Sequence, residues 1–145
     1  MTIYFDMDGT IADLYGINGW LDYLMNKDVT PYAEAKPLLN FSQFARLIHR
    51  LQAKGYKVGI ISWLAKCDDK EYHAEIAKTK RAWLSKRLPS VQFDEINIIN
   101  YGTPKSTCGN GILFDDEEAN RKEWKGTSYD VNNIIETLKK ILKNS

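Results

Sequence analysis

The chain has 145 residues, 43% hydrophobic and 27% charged, with a formal net charge of +1. That length suits one domain able to bury roughly two-thirds of its unfolded surface, and leaves no room for a second full domain within it. No segment approaches the ~20 consecutive apolar residues of a membrane span, and a near-neutral balance supplies no bulk attraction to nucleic acid.

The first residues, Met1 to Asp6, carry no basic region, apolar h-region or cleavage site, so they read as a strand and the protein is expected to be cytoplasmic. Ile3-Tyr4-Phe5 is a buried strand that stops at Asp6-Met7-Asp8-Gly9-Thr10. Leu14 to Leu39, rich in Tyr, Trp and Pro, is a small insertion over the strand ends, with helical spacing at Trp20, Leu21 and Leu24. Its aromatics Tyr15, Trp20, Tyr23 and Tyr32 are assigned chiefly to a small core of its own, with stacking on a nucleobase as the second role. Phe44, Leu47, Ile48 and Leu51 predict a helix from Phe41 to Lys54, closed by Gly55. Tyr56 to Ser62 is a second strand, Glu71 to Leu88 a second helix ended by Pro89, and Glu95 to Ile99 a third strand. Gly111 to Phe114 is a fourth strand, running into Asp115-Asp116-Glu117-Glu118. A short edge strand near Thr127 to Tyr129 follows, and Asp130 is expected to cap a last helix striped by Val131, Ile134, Ile135, Leu138, Ile141 and Leu142. Cys67 and Cys108 have neither the number for a disulfide framework nor a zinc spacing, and read as free thiols. Alternating strands and helices predict an α/β fold, a Rossmann-like parallel sheet with helices on both faces and a small helical cap insertion at about 14–39. In such sheets ligands bind beyond the carboxyl ends of the strands.

The polar motifs all fall at those ends. Asp6 and Asp8 follow the first strand, and like charges so close are costly without a cation; Mg²⁺, a hard ion that takes oxygen ligands, is the natural partner. Taken alone, the same residues equally fit an acidic turn. Asp115 and Asp116 end another buried strand and can complete a carboxylate shell, although acidic residues also suit a helix N-terminus. Ser62 ends the second strand and Lys105 sits in the loop Gly102-Thr103-Pro104-Lys105, where hydroxyl and ammonium groups would face phosphate oxygens.

In that order, Asp6-Met7-Asp8-Gly9-Thr10, Ser62, Lys105 and Asp115-Asp116 resemble the four motifs of the haloacid dehalogenase (HAD) superfamily, over nearly the whole chain outside the insertion. The resemblance implies a HAD-like fold and a Mg²⁺-dependent phosphatase working through an aspartyl-phosphate. Asp6 would be nucleophile and metal ligand, and Asp8 the acid and base, with its backbone carbonyl on the metal. Ser62 and Lys105 would bind phosphate, and Asp115 and Asp116 would complete the metal site; the motif does not distinguish which of those two meets the ion. The stretch from Asp6 to Asp13 and the spacing of Lys105 to Asp115 further resemble the 5′(3′)-deoxyribonucleotidase family, which points to a nucleoside monophosphate as substrate and adds Met7, Trp63 and Lys66 as substrate- or phosphate-binding positions. The shorter insertion, Leu14 in place of an aromatic residue, and Ser rather than Thr at position 62 depart from that family, chiefly where the base would be recognised. A short cap also suits phosphorylated nucleic-acid ends or another bulky phosphorylated substrate. A HAD-fold interaction module without turnover is disfavoured, because Asp6, Asp8, Ser62, Lys105 and Asp115 are all in place.

Overall fold

Ile3 and Phe5 point to one side of their strand and Tyr4 to the other, and all three are buried, as a strand covered on both faces requires. In the computed structural model, which describes residues 1–145, this strand, β1 (Thr2–Phe5), is the centre of a five-stranded sheet. It pairs in parallel with β2 (Lys57–Trp63) on one side and with β4 (Ile112–Phe114) on the other. β3 (Glu95–Ile99) and β5 (Thr127–Tyr129) extend the two edges, also in parallel, giving the order β3-β2-β1-β4-β5. The chain is thus α/β and Rossmann-like, as the alternation of elements predicts.

Between β1 and β2 lie α1 (Trp20–Met25), α2 (Thr30–Glu34) and α3 (Phe41–Ala53); α4 (Lys70–Arg87), α5 (Glu118–Glu123) and α6 (Ile134–Lys143) follow in the second half. The main core joins Ile3, Phe5, Val58, Ile60, Ile112 and Phe114 of the sheet to the stripes of α3 and α6 and to Trp83 and Leu84 of α4. The opposite face is thinner, with Tyr4, Ile61 and Leu113 under Trp124 just beyond α5. Asn40 caps α3 by accepting from the Gln43 amide at 3.0 Å, and Gly55, at φ +99°, ends it in the left-handed conformation that glycine adopts without strain.

The last helix departs from expectation. It begins at Ile134 after Asn133, and the Asp130 carboxylate accepts from the adjacent Val131 amide and pairs with Arg121, so Asp130 caps nothing and Val131 lies outside the helix. The insertion is tied at its root by Asp13 N–H donating to Lys36 O at 2.8 Å and Leu38 N–H donating to Ile11 O at 2.9 Å. Tyr32 of α2 and Leu14 join Leu64, Tyr72 and Ile76 in a second core, whereas α1 buries no residue. No helix is long and apolar enough to cross a membrane.

Candidate active site

The loop after β1 turns sharply because the Met7 carbonyl accepts from the amides of Thr10, Ile11 and Ala12, with Gly9 at φ +82°. Asp6 still follows the strand, its amide donating to Phe114 O at 3.0 Å, so its side chain emerges beside the end of β4. Both carboxylate oxygens are held: Oδ1 accepts from Lys105 Nζ at 2.9 Å and Oδ2 from Thr10 Oγ1 at 3.0 Å. Lys105 is buried in a single 3-10 turn, Lys105–Thr107, and also donates to Asp115 Oδ2 at 2.7 Å. The turn is fastened to α5, where Glu123 accepts from the Ser106 amide and hydroxyl.

Asp6, Asp115 and Asp116 bring carboxylate oxygens within 4.8 Å of one another. Burial, and then the Asp6 charge, push the Asp115 and Asp116 carboxyls above the usual carboxylate range. On Lys105 the balance is reversed: burial disfavours its charge, but Asp6 and Asp115 outweigh that and hold it protonated. One ammonium against three clustered carboxylates leaves a deficit of positive charge among oxygen donors only, which is the donor chemistry that fits Mg²⁺. Asp115 is fully buried and additionally accepts from the Glu117 amide and from Asn120, whereas Asp116 is half-buried.

Asp8 stands apart from that trio. Its Oδ2 accepts from Lys80 Nζ at 2.9 Å, and burial raises its carboxyl above the usual value despite the opposing charge of Lys80. Lys80, only 1% exposed, also donates to Ser62 Oγ at 2.6 Å and to Trp63 O at 2.8 Å. No motif marks this lysine, which sits in the charged run Lys78-Thr79-Lys80-Arg81. The signal was its place on α4: with Tyr72, Ile76 and Leu84 it forms an i, i+4 row that is buried throughout.

A cavity of about 310 Å³ opens above these groups, lined by Asp6, Asp8, Trp63, Lys66 and Lys105 together with Tyr15, Trp20, Leu21, Leu24 and Tyr32 of the insertion. Two aromatic pairs contribute to its wall, Tyr15 edge-on to Trp20 at 4.9 Å and Trp63 tilted against Tyr101 at 5.0 Å between ring centroids. Tyr15 and Trp20 thus face the cavity more than a private core; Tyr32 serves both, and Tyr23 does not line it. Lys66 is exposed, with Nζ 5.8 Å from the Tyr101 ring centroid. Ser62 is buried behind the cavity and reaches it only through Lys80 and Asp8. The Met7 side chain points away altogether, into the main core, because it falls on the opposite side of the turn from Asp6 and Asp8.

Sheet order and helical cover define an α/β, Rossmann-like protein with an acidic site at the carboxyl edge of its sheet. Among solved structures the chain is similar to D,D-heptose 1,7-bisphosphate phosphatase from Burkholderia thailandensis, with 12% identity, coverage of 97% of each chain and a TM-score of 0.54, a likeness of fold. No family model matches the sequence, and no curated protein does either.

Proposed function

We propose that this protein is a Mg²⁺-dependent phosphomonoester hydrolase working through an aspartyl-phosphate on Asp6, with nucleoside monophosphates as its favoured substrates. The observation that carries this reading is the setting of Asp6, held between Lys105 and Thr10 at the floor of the cavity, beside Asp115 and Asp116. A carboxylate so fixed needs no base to become a nucleophile.

In the first step an Asp6 oxygen attacks phosphorus, the ester P–O bond breaks, and the leaving oxygen departs with the proton carried by Asp8. In the second, water attacks the phosphorus of the acyl phosphate, Asp8 takes the water's proton, and inorganic phosphate leaves as the Asp6 carboxylate is restored. Lys105 orients Asp6 and offsets charge on the transferring group. Asp6, Asp115 or Asp116 and the Asp8 carbonyl would hold Mg²⁺, which would supply the charge that lets a carboxylate approach a phosphate dianion. Ser62 and Lys66 join this site as lesser contributors, Ser62 from behind Asp8 and Lys66 from the rim.

The two aromatic pairs support a planar leaving group, and a nucleobase fits a wall of that kind. The test is phosphate release from nucleoside monophosphates, glycerol phosphate, sugar phosphates, p-nitrophenyl phosphate and 3′- or 5′-phosphorylated oligonucleotides, with and without Mg²⁺. Mg²⁺-dependent release that Asp6→Asn lowers by at least ~1,000-fold is expected. Equal rates for wild type and Asp6→Asn would sink the enzyme reading, and a preference for oligonucleotides would replace the nucleotidase assignment.

A further inference from the structure

We propose that Lys80 is a positioning residue, which aims the Asp8 carboxyl at the leaving-group oxygen without touching the substrate. The inference rests on the phosphatase reading above.

A lysine buried in a domain core loses its hydration at a high cost unless its proton donors are matched. Lys80 is matched fully. An ammonium has three N–H donors, and all three are used, by Asp8 Oδ2 at 2.9 Å, Ser62 Oγ at 2.6 Å and Trp63 O at 2.8 Å. The Tyr32 ring lies against the same ammonium, 5.2 Å from centroid to Nζ. No donor is left for a phosphate oxygen, which separates Lys80 from Lys105, whose two protein contacts leave one N–H unspent.

What Lys80 does hold is one oxygen of Asp8. Asp8 Oδ1 accepts no hydrogen bond from the protein, and the residue lines the cavity. With Oδ2 gripped from behind, the carboxyl plane is fixed and the other oxygen is the one that can carry a proton to the ester oxygen. Ser62 completes the clamp: its oxygen accepts from Lys80, so this strand-end hydroxyl acts through the lysine. The partners come from the loop after β1, from β2 and from α2, so the ammonium ties the acid to both the sheet and the insertion. That anchoring gives a general acid the angular precision that proton transfer requires.

A positioned acid leaves a specific kinetic signature. An alkoxide leaving group must be protonated as the P–O bond breaks, whereas p-nitrophenolate departs as a stabilised anion. kcat/KM reports the first transfer alone, so loss of proton donation lowers it for alkyl esters and spares it for the aryl ester. The test compares wild type, Lys80→Met, Lys80→Gln and Asp8→Asn in the presence of Mg²⁺. The esters are p-nitrophenyl phosphate, nucleoside 5′-monophosphates and glycerol phosphate. Both Lys80 variants are expected to lose ~100-fold in kcat/KM on the alkyl esters and no more than about threefold on p-nitrophenyl phosphate, as Asp8→Asn does. Adding Lys80→Met to Asp8→Asn should cost little further on the alkyl esters, because the lysine acts through the acid. Equal loss on alkyl and aryl esters by folded variants, as a direct phosphate ligand would give, overturns the proposal, as does a wild-type rate on alkyl esters. Retained p-nitrophenyl phosphate activity itself reports an intact fold, and Lys80→Gln, which keeps polar contacts, covers the case in which Lys80→Met fails to fold. Absence of phosphatase activity in the wild type would refute the reading beneath the proposal; unselective loss refutes the proposal alone.

Discussion

Gly9 shows how closely the site is drawn around single atoms. Its φ of +82° disfavours any L side chain, and a Cβ built there would run into the Asp116 carboxylate and stand 3.0 Å from Tyr15 Cε2. Gly9→Ala must therefore push Asp116 out of the trio it forms with Asp6 and Asp115. We expect this variant to bind Mg²⁺ about tenfold more weakly, as when partners of metal ligands are disturbed, while the cooperative thermal transition persists. Mg²⁺ titration by calorimetry decides it, and an unchanged affinity would show that Asp116 is no ligand. Residues of this kind were legible in the sequence because their signals are local. Asp6, Asp8 and Gly9 share one turn, and Asp115 ends an apolar run. Lys80 was not, because its meaning depends on what faces its helix: Asp8, 72 residues earlier, and Ser62, 18 residues earlier. The direction of the Met7 side chain was not legible for a similar reason, since being a neighbour of Asp6 in sequence says nothing about which side of a tight turn it takes.

Among the elements, α1 is the least anchored. It has six residues, none of them buried, and its start at Gly19 lacks a side-chain cap. Isolated turns of this length are unstable in water, so α1 persists through contacts with α2 and through the Tyr15–Trp20 pair. Its amides are expected to exchange hydrogen well before those of β1 and α3, whose opening requires disruption of the main core. Comparable protection in α1 and α3 would contradict this. Trp20 is also where the insertion meets the cavity, so Trp20→Ala should raise KM for nucleoside monophosphates by about tenfold, the worth of a lost stacking contact, and leave glycerol phosphate nearly unchanged. A uniform effect on both would assign Trp20 to the insertion's packing instead. Elements with strong apolar periodicity, α3 and the buried strands, fall within a residue or two of where the sequence puts them. The start of α6 was misread because Asp130 looks like a cap, whereas its carboxylate is spent on its neighbour's amide and on Arg121 at 3.5 Å.

For the whole molecule, the acidic site should leave its mark on stability. Burial and the Asp6 charge raise the folded-state values of Asp115 and Asp116, the latter to about 8, above the ordinary Asp value of ~4. Above about pH 4 the native state therefore binds more protons than the unfolded chain, so the contribution of these two groups is largest at low pH and is lost as pH rises towards 8. Asp28, Asp69 and Glu123 are shifted downwards, by hydrogen bonds first of all, and contribute in the opposite sense. Their contribution is complete above the ordinary carboxylate range and adds no slope in this window. Without metal, the protein should then become less stable between about pH 5 and pH 8, and Asp116→Asn should flatten that decline. Mg²⁺ at this site would bind the ionised carboxylates and compete with those protons, so the rise in Tm on adding Mg²⁺ should be small at pH 5 and several degrees at pH 8. Thermal melts in EDTA and in millimolar Mg²⁺ across that range measure both effects without any substrate. A Tm gain independent of pH would mean that protons and metal do not share the Asp115 and Asp116 carboxylates, and the metal would have to be sought away from the trio.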